Sequence, residues 1–154
     1  MQIKNIKHYP EFEETVATWL FNEWGLKGSE EYWKEWVKFS QDETSTFQTF
    51  VVVEKGKLLA TYGLMPCDLQ SRQDLFPWIG NLFIPKEHRL KSISILIAIH
   101  KHSEIIFRKL KLKTVYVYTP HNPLLFKRFG YKYFGKTIDL DGTKISLLKK
   151  EIEY

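Results

Sequence analysis

The chain has one cysteine, Cys67, among 154 residues. A lone thiol excludes an internal disulfide and any multi-cysteine zinc site, and it suits a reducing compartment. Cys67 itself reads as a small half-buried residue or, less simply, as a nucleophile. No apolar run reaches the roughly 20 residues that a membrane-spanning helix needs. Residues Met1 to Lys7 lack the apolar core and small-residue cleavage site of a secretory leader, so a cytoplasmic protein with no membrane partner is expected. Internal repeats and low-complexity segments are absent too. No Ser/His/Asp or Cys/His arrangement stands out, and no metal site is expected. His8, His88, His100, His102 and His121 are scattered, and surface or packing roles account for each more simply than chemistry does.

What is present is ordinary globular material: 44% hydrophobic and 27% charged, enough for one domain spanning 1–154 with a proper core. The net charge of +5 is compatible with nucleic acid, an anionic ligand or simply a soluble surface. Its distribution narrows the choice. Basic residues gather at Lys86 to Lys91, Arg108 to Lys113 and Lys127 to Lys136, whereas Glu11 to Glu43 is acidic. That favours a local anionic ligand. Nucleic acid is disfavoured as a partner, because no recognisable binding motif accompanies the charge.

Periodicity divides the chain into short elements. A strand over about Gln2 to His8 leads through Tyr9 and Pro10 into a helix with Phe12, Val16, Trp19, Leu20 and Glu23 on one face, stopped by Gly25. A second helix is expected after Ser29 as its cap. Its stripe of Tyr32, Trp33, Trp36, Val37 and Phe39 reads as core packing or as the wall of an acceptor pocket. Past the polar loop Gln41 to Ser45, the runs Thr49 to Glu54 and Lys57 to Met65 flank Lys55 and Gly56, a hairpin signature. After Pro66 and the polar Asp68 to Asp74 comes a strand at Trp78 to Ile84, then a helix over about Ser92 to Leu110 with Ile95, Ile99, Ile106 and Leu110 on one face. The strand Thr114 to Thr119 completes a right-handed parallel crossover. A short helix over Leu124 to Phe129 ends at Gly130, and Tyr131 to Leu140 pairs with Lys144 to Ile152 through Asp141 and Gly142. The order β, α, α, β, β, β, α, β, α, β, β implies a mixed sheet with helices on its faces.

The centre of this pattern is the passage from Trp78 to His102. A buried strand closed by Pro85, a polar loop Lys86 to Lys91 and a helix starting at Ser92 bring free backbone N–H groups and a positive dipole end together. Arg89 and Lys91 add full charges, making a ready anion site. Ile84, Pro85 and Arg89 resemble the Val-x-Pro-x-x-Arg that opens the pyrophosphate loop of the GCN5-related N-acetyltransferases. Leu90, Ser92 and Ser94 stand where that family places glycines. Tyr118, Thr119 and Asn122 are similar to its Tyr-Thr-x-x-Asn. Leu125, Phe126, Gly130 and Tyr131 are similar to its Leu-Tyr-x-x-x-Gly-Phe, with Phe126 at the usual tyrosine. The likeness runs from about Thr49 to Ile152.

The resemblance implies an acyl-CoA N-acyltransferase fold, α/β in class, whose mixed and mostly antiparallel sheet splays between its parallel fourth and fifth strands. The splay would lie between Asn81 to Ile84 and Tyr116 to Thr119, with the pantetheine arm of acetyl-CoA inserted there. The implied cofactor-binding set is Leu82, Phe83, Ile84, Arg89, Leu90, Lys91, Ser92, Ile93, Ser94, Asn122 and Phe126, with an N–H near Leu82 polarising the thioester. The implied activity is acetyl transfer from acetyl-CoA, as co-substrate, to a small-molecule or peptide amine by direct attack. Side chains at the glycine positions are expected to crowd the phosphates, although serine hydroxyls add donors. Phe126 cannot protonate the leaving thiolate, which leaves Tyr118, His121 and Tyr131 as catalytic candidates. The alternative is a weak or inactive member that binds CoA or a protein partner, and homodimerisation is left open.

Overall fold

A computed structural model describes residues 1–121 and 123–154. The elements are β1 (Gln2–Asn5), α1 (Glu13–Trp24), α2 (Glu30–Phe39), β2 (Gln48–Glu54), β3 (Lys57–Met65), β4 (Trp78–Phe83), α3 (Ser92–Lys109), β5 (Thr114–Thr119), α4 (Leu124–Arg128), β6 (Lys132–Ile138) and β7 (Lys144–Glu151). They follow the expected order. The strands form one 7-stranded sheet, β1-β2-β3-β4-β5-β7-β6, in which β4 and β5 run parallel and the other neighbours antiparallel.

Alternation along the strands sorts the apolar residues onto two faces. Phe50, Val52, Tyr62, Leu64, Ile79 and Val115 meet α3 on one face. Val51, Val53 and Leu58 meet α1 and α2 on the other, through Val16, Ala17, Leu20 and Val37. The β2–β3 hairpin turns at Lys55 and Gly56, with φ of 51° and 75°. Two left-handed residues match the twist of the flanking strands, and glycine supplies one of them without strain.

Several boundaries differ from the sequence expectation for local reasons. β1 ends at Asn5 because the Asn5 side chain accepts the Lys7 N–H at 2.9 Å and draws Ile6 to His8 into a 3₁₀ turn. Another 3₁₀ turn, Pro10–Phe12, delays α1 to Glu13. Ser29 does not cap α2. Its hydroxyl donates backwards to Leu26 O at 2.6 Å. On α2 only Val37 is buried; Tyr32 and Phe39 are exposed, while Trp33 and Trp36 are half-buried and Trp36 packs edge-on against Phe47 at 4.9 Å. The buried line of α3 is Ile95, Ile99, Ser103 and Phe107, and Ile106 and Leu110 sit at its margin.

The feature that positions the site is the partial separation of β4 from β5. They share one register pair, Trp78 opposite Tyr116, where the Tyr116 N–H donates to Pro77 O at 3.0 Å. Downstream β5 stays on β7 as far as Thr119 opposite Ser146, while β4 stays on β3. On β3, Gly63 faces Gly80 and Thr61 faces Phe83, so β4 carries one extra residue across this interval. The extra residue is accommodated at Asn81, which takes a φ of 49°. Such a bulge bends its strand and raises the local twist. The last half of β4 therefore leaves β5, and the strands splay.

Candidate functional site

Asn81 and Leu82 have no register partner in β3 or β5, so the bulge presents backbone groups to the opening. Non-glycine residues rarely adopt positive φ, and asparagine is among those that tolerate it. Leu82 and Ile84 lean toward the α3 face, and the ring of Phe83 meets Trp19 of α1 on the other, at 5.4 Å between centroids. The slot is thus walled by β4 backbone on one side and by the downstream end of β5 on the other.

Beyond β4 the residues Lys86 to Lys91 wind into a 3₁₀ turn that runs directly into α3. Arg89 is exposed, and its Nε donates weakly to Ile84 O at 3.5 Å. Lys91 Nζ is paired with Glu54 Oε2 at 2.8 Å, which holds the Glu54 carboxyl below its usual range. Ser92 turns both its N–H and its hydroxyl to Arg89 O. No side chain caps α3, so the N–H groups of Ile93 and Ser94 keep their capacity for an anion. Leu90 is fully exposed and Ile93 largely so. Among the described residues Leu90, Ser92 and Ser94 all have negative φ. The turn therefore does not require glycine for its own path.

No protein-family model matches the chain, and no curated protein does. Solved structures match over essentially their whole length. An aminoglycoside 6'-acetyltransferase type Ii superposes with a TM-score of 0.72 at 15% identity, covering 100% of this chain and 99% of that one. A mutant of the spermidine N-acetyltransferase SpeG from Vibrio cholerae gives 0.70 at 15%, covering 98% and 95%. An acyl-CoA N-acyltransferase from Pseudomonas aeruginosa gives 0.63 at 13%, covering 97% of each. This is the GCN5-related N-acetyltransferase fold.

Within that fold the candidate catalytic residues are not gathered in one place. Val117 and Tyr118 are consecutive on β5 and face opposite ways. Tyr118 lies over Trp78, Leu69 and Leu147, whereas Val117 packs with Tyr131, Phe126 and Leu148. Tyr118 and Tyr131 thus sit on opposite faces of the sheet. Burial pushes both phenols well up, helped by Asp68, Asp139 and Asp141 at Tyr118 and by Glu104 at Tyr131. Both stay protonated at neutral pH. Phe126 meets Tyr131 edge-on at 5.8 Å, so a phenol lies one ring away from the position where a family tyrosine is expected. His121 is exposed past the end of β5, where its backbone N–H donates to Thr119 Oγ1 at 3.1 Å. Asn122 lies outside the described residues.

Residues not singled out in the sequence also enter the site. The loop from Pro66 to Pro77 folds back over β4 through buried Leu69 and Leu75, with the Trp78 Nε1 donating to Leu75 O at 2.8 Å. This brings the Asp68 carboxyl against Gly80, one residue before the bulge. A Cβ at Gly80 would collide with Asp68 Oδ2 and come within 2.6 Å of Met65 Cε. Desolvation, with Asp139 nearby, raises the Asp68 carboxyl to about 7. The same surroundings push the Cys67 thiol up, first by burial and then by Asp68, which argues against a thiolate nucleophile. No helix among the described residues is long and apolar enough to cross a membrane, and they contain no group of three or more potential metal ligands. A surface hollow of about 550 Å³ lies between α1 and α2, lined by Glu13, Glu14 and Lys34.

Proposed function

We propose that the chain transfers an acetyl group from acetyl-CoA to an amine by direct attack on the thioester. The observation that carries this reading is the slot between β4 and β5, with a bulge at its inner end and an uncapped helix N-terminus at its outer end. An extended arm bearing amides suits the slot, because the separated strand offers backbone hydrogen bonds that a neighbouring strand would otherwise take. A pyrophosphate suits the far end, where exposed Arg89 precedes the uncapped start of α3 at Ile93 and Ser94. Lys91, Ser92 and Leu90 border that end, and the backbone of Leu82, Phe83 and Ile84 lines the slot.

In this reading the acceptor nitrogen attacks the thioester carbon, an N–H near Leu82 stabilises the oxyanion, and the thiolate leaves toward Phe126. Tyr131, whose ring meets Phe126, is the proton donor in this reading. The solved structures that share the fold include aminoglycoside and spermidine acetyltransferases, which supports a basic amine as acceptor. The second reading, a protein that binds CoA without turnover, is favoured by one observation, the phenylalanine at position 126.

Two measurements decide. Thermal unfolding with acetyl-CoA, CoA and a mixed-sequence oligonucleotide should show stabilisation by the first two only; a ligand at 100 times its Kd adds about 2.7 kcal/mol. Release of CoA should then be followed with a panel of primary amines. Stabilisation without release above background across the panel removes the transferase reading and leaves the binding one.

A further inference from the structure

Asp68 lies against Gly80, one residue before the bulge at the inner end of the slot. Gly80 faces Gly63, and both share the sheet face of Trp78 and Tyr118, opposite the face occupied by Phe126 and Tyr131. Gly80 alone, having no side chain, lets a carboxyl lie on the strand immediately before the bulge. Asp68 is half-buried and has no hydrogen bond or ion pair among the described residues. Its titratable surroundings are Asp139 from the β6–β7 turn, Tyr118 from β5 with Asp141 beyond it, and the neighbouring Cys67. Arg72 and Asp74, from the same loop, neutralise each other through bonds of 3.0 and 2.9 Å. The carboxyl is therefore left without a cation of its own.

Resting on the acetyl-transfer reading, we propose that Asp68 is the group that takes the proton from the acceptor amine, from the face opposite the leaving thiolate. The acceptor arrives as an ammonium ion and pairs with the Asp68 carboxylate. One N–H proton passes to the carboxylate, and the freed lone pair forms the C–N bond at the thioester carbon. The carbonyl electrons move onto oxygen and return as the C–S bond breaks, with the electron pair leaving on sulfur. The second N–H proton passes from nitrogen to water, and the thiolate takes a proton from the Tyr131 hydroxyl, which regains one from solvent, giving amide and CoA thiol. The proton on Asp68 then returns to solvent. A carboxyl that ionises near neutrality suits this task, since it is charged at working pH and a stronger base than an ordinary carboxylate.

The test compares wild type with Asp68→Asn and Asp68→Glu, using acetyl-CoA with 1,4-diaminobutane, spermidine and a free dipeptide as probes. Wild type should lose kcat/KM below about pH 7. Asp68→Asn should be about 100- to 10,000-fold slower with that acid limb gone, while acetyl-CoA affinity by calorimetry stays unchanged. Asp68→Glu should recover part of the rate and the limb. A structural role alone would not move the pH profile. Independently of turnover, Asp68→Asn should raise the melting temperature at pH 8 and not at pH 4, because it removes an enclosed charge present only at the higher pH. An Asn variant within threefold of wild type and with the acid limb kept overturns the assignment while leaving acetyl transfer standing. If wild type releases no CoA with any probe, both the transferase reading and the assignment fall.

Discussion

Arg89 and Lys91 carry the same charge two residues apart, yet their surroundings make them unequal. Lys91 is committed to Glu54, whereas Arg89 is held only by a long bond to Ile84 O. Arg89→Ala should weaken CoA binding by roughly 1.5–3 kcal/mol, the worth of a charge-assisted hydrogen bond, and Lys91→Ala should cost less. Glu54→Gln should release Lys91 and tighten CoA several-fold. Calorimetry on the three variants checks the order, and equal losses for Arg89→Ala and Lys91→Ala would show that Glu54 does not compete. At the other end of the slot, Phe126→Tyr adds one hydroxyl facing the same space as Tyr131 with almost no change in volume. Faster CoA release is expected if leaving-group protonation limits the rate. If Tyr131 already serves, Phe126→Tyr is neutral and Tyr131→Phe is slow.

At the scale of elements, most of the architecture was legible because local chemistry and tertiary packing agree. Lys55 and Gly56 occupy a left-handed turn as their sequence suggests, and the alternating valines and tyrosines of Thr114 to Thr119 become β5 with its two faces. Disagreement arose where a side chain redirected the backbone, as Asn5 and Ser29 do, or where a helix drifts so that Ser103 replaces Ile106 on the buried line. The slot was legible only through resemblance. Its physical cause, the bulge at Asn81, carries a faint sequence signal, since an asparagine after a glycine within a strand hints at irregular backbone. Asp68 had no signal at all. Its meaning depends on Gly80, twelve positions away, and on a loop whose path is set by Leu69 and Leu75. The bulge yields its own test. Asn81→Gly keeps the left-handed conformation and should change stability by well under 1 kcal/mol, whereas Asn81→Val should cost about 1–2 kcal/mol. The valine variant should also bind CoA more weakly, because straightening β4 narrows the slot. Urea unfolding and calorimetry on the pair separate the two effects, and a fully stable valine variant would mean that the bulge is unstrained.

Across the whole molecule, two half-buried groups on opposite sheet faces set opposing dependences of stability on pH. His102 is held neutral on the α3 side, its Nδ1 2.6 Å from the Tyr62 hydroxyl, and burial lowers its pKa from 6.5 to about 4. Between those values the unfolded chain binds a proton that the native state refuses, so this contribution is lost as pH falls. Asp68 behaves in the reverse sense. Its native pKa of about 7 lies above the ordinary 3.8, so the native state holds a proton that the unfolded chain has released, and stability is lost as pH rises from about 4 to 7. Each group contributes a slope of up to about 1.4 kcal/mol per pH unit. The ion-paired carboxylates Glu43 and Glu54, whose pKa values are lowered by their lysine partners, act below pH 4.5, outside the shared window. His100, its pKa also lowered by burial, adds in the same sense as His102, so from pH 4.5 to 6.5 the wild-type stability should change less with pH than that of Asp68→Asn. Asp68→Asn should leave the histidine slope exposed, with stability rising as pH rises, and His102→Gln should leave the aspartate slope, with stability falling. Urea midpoints of the three proteins at half-unit steps across this window measure the slopes. Three parallel curves would show that neither group titrates differently in the native and unfolded chains, and a slope changed by His102→Gln but not by Asp68→Asn would leave the histidine buried and place the carboxyl in contact with solvent.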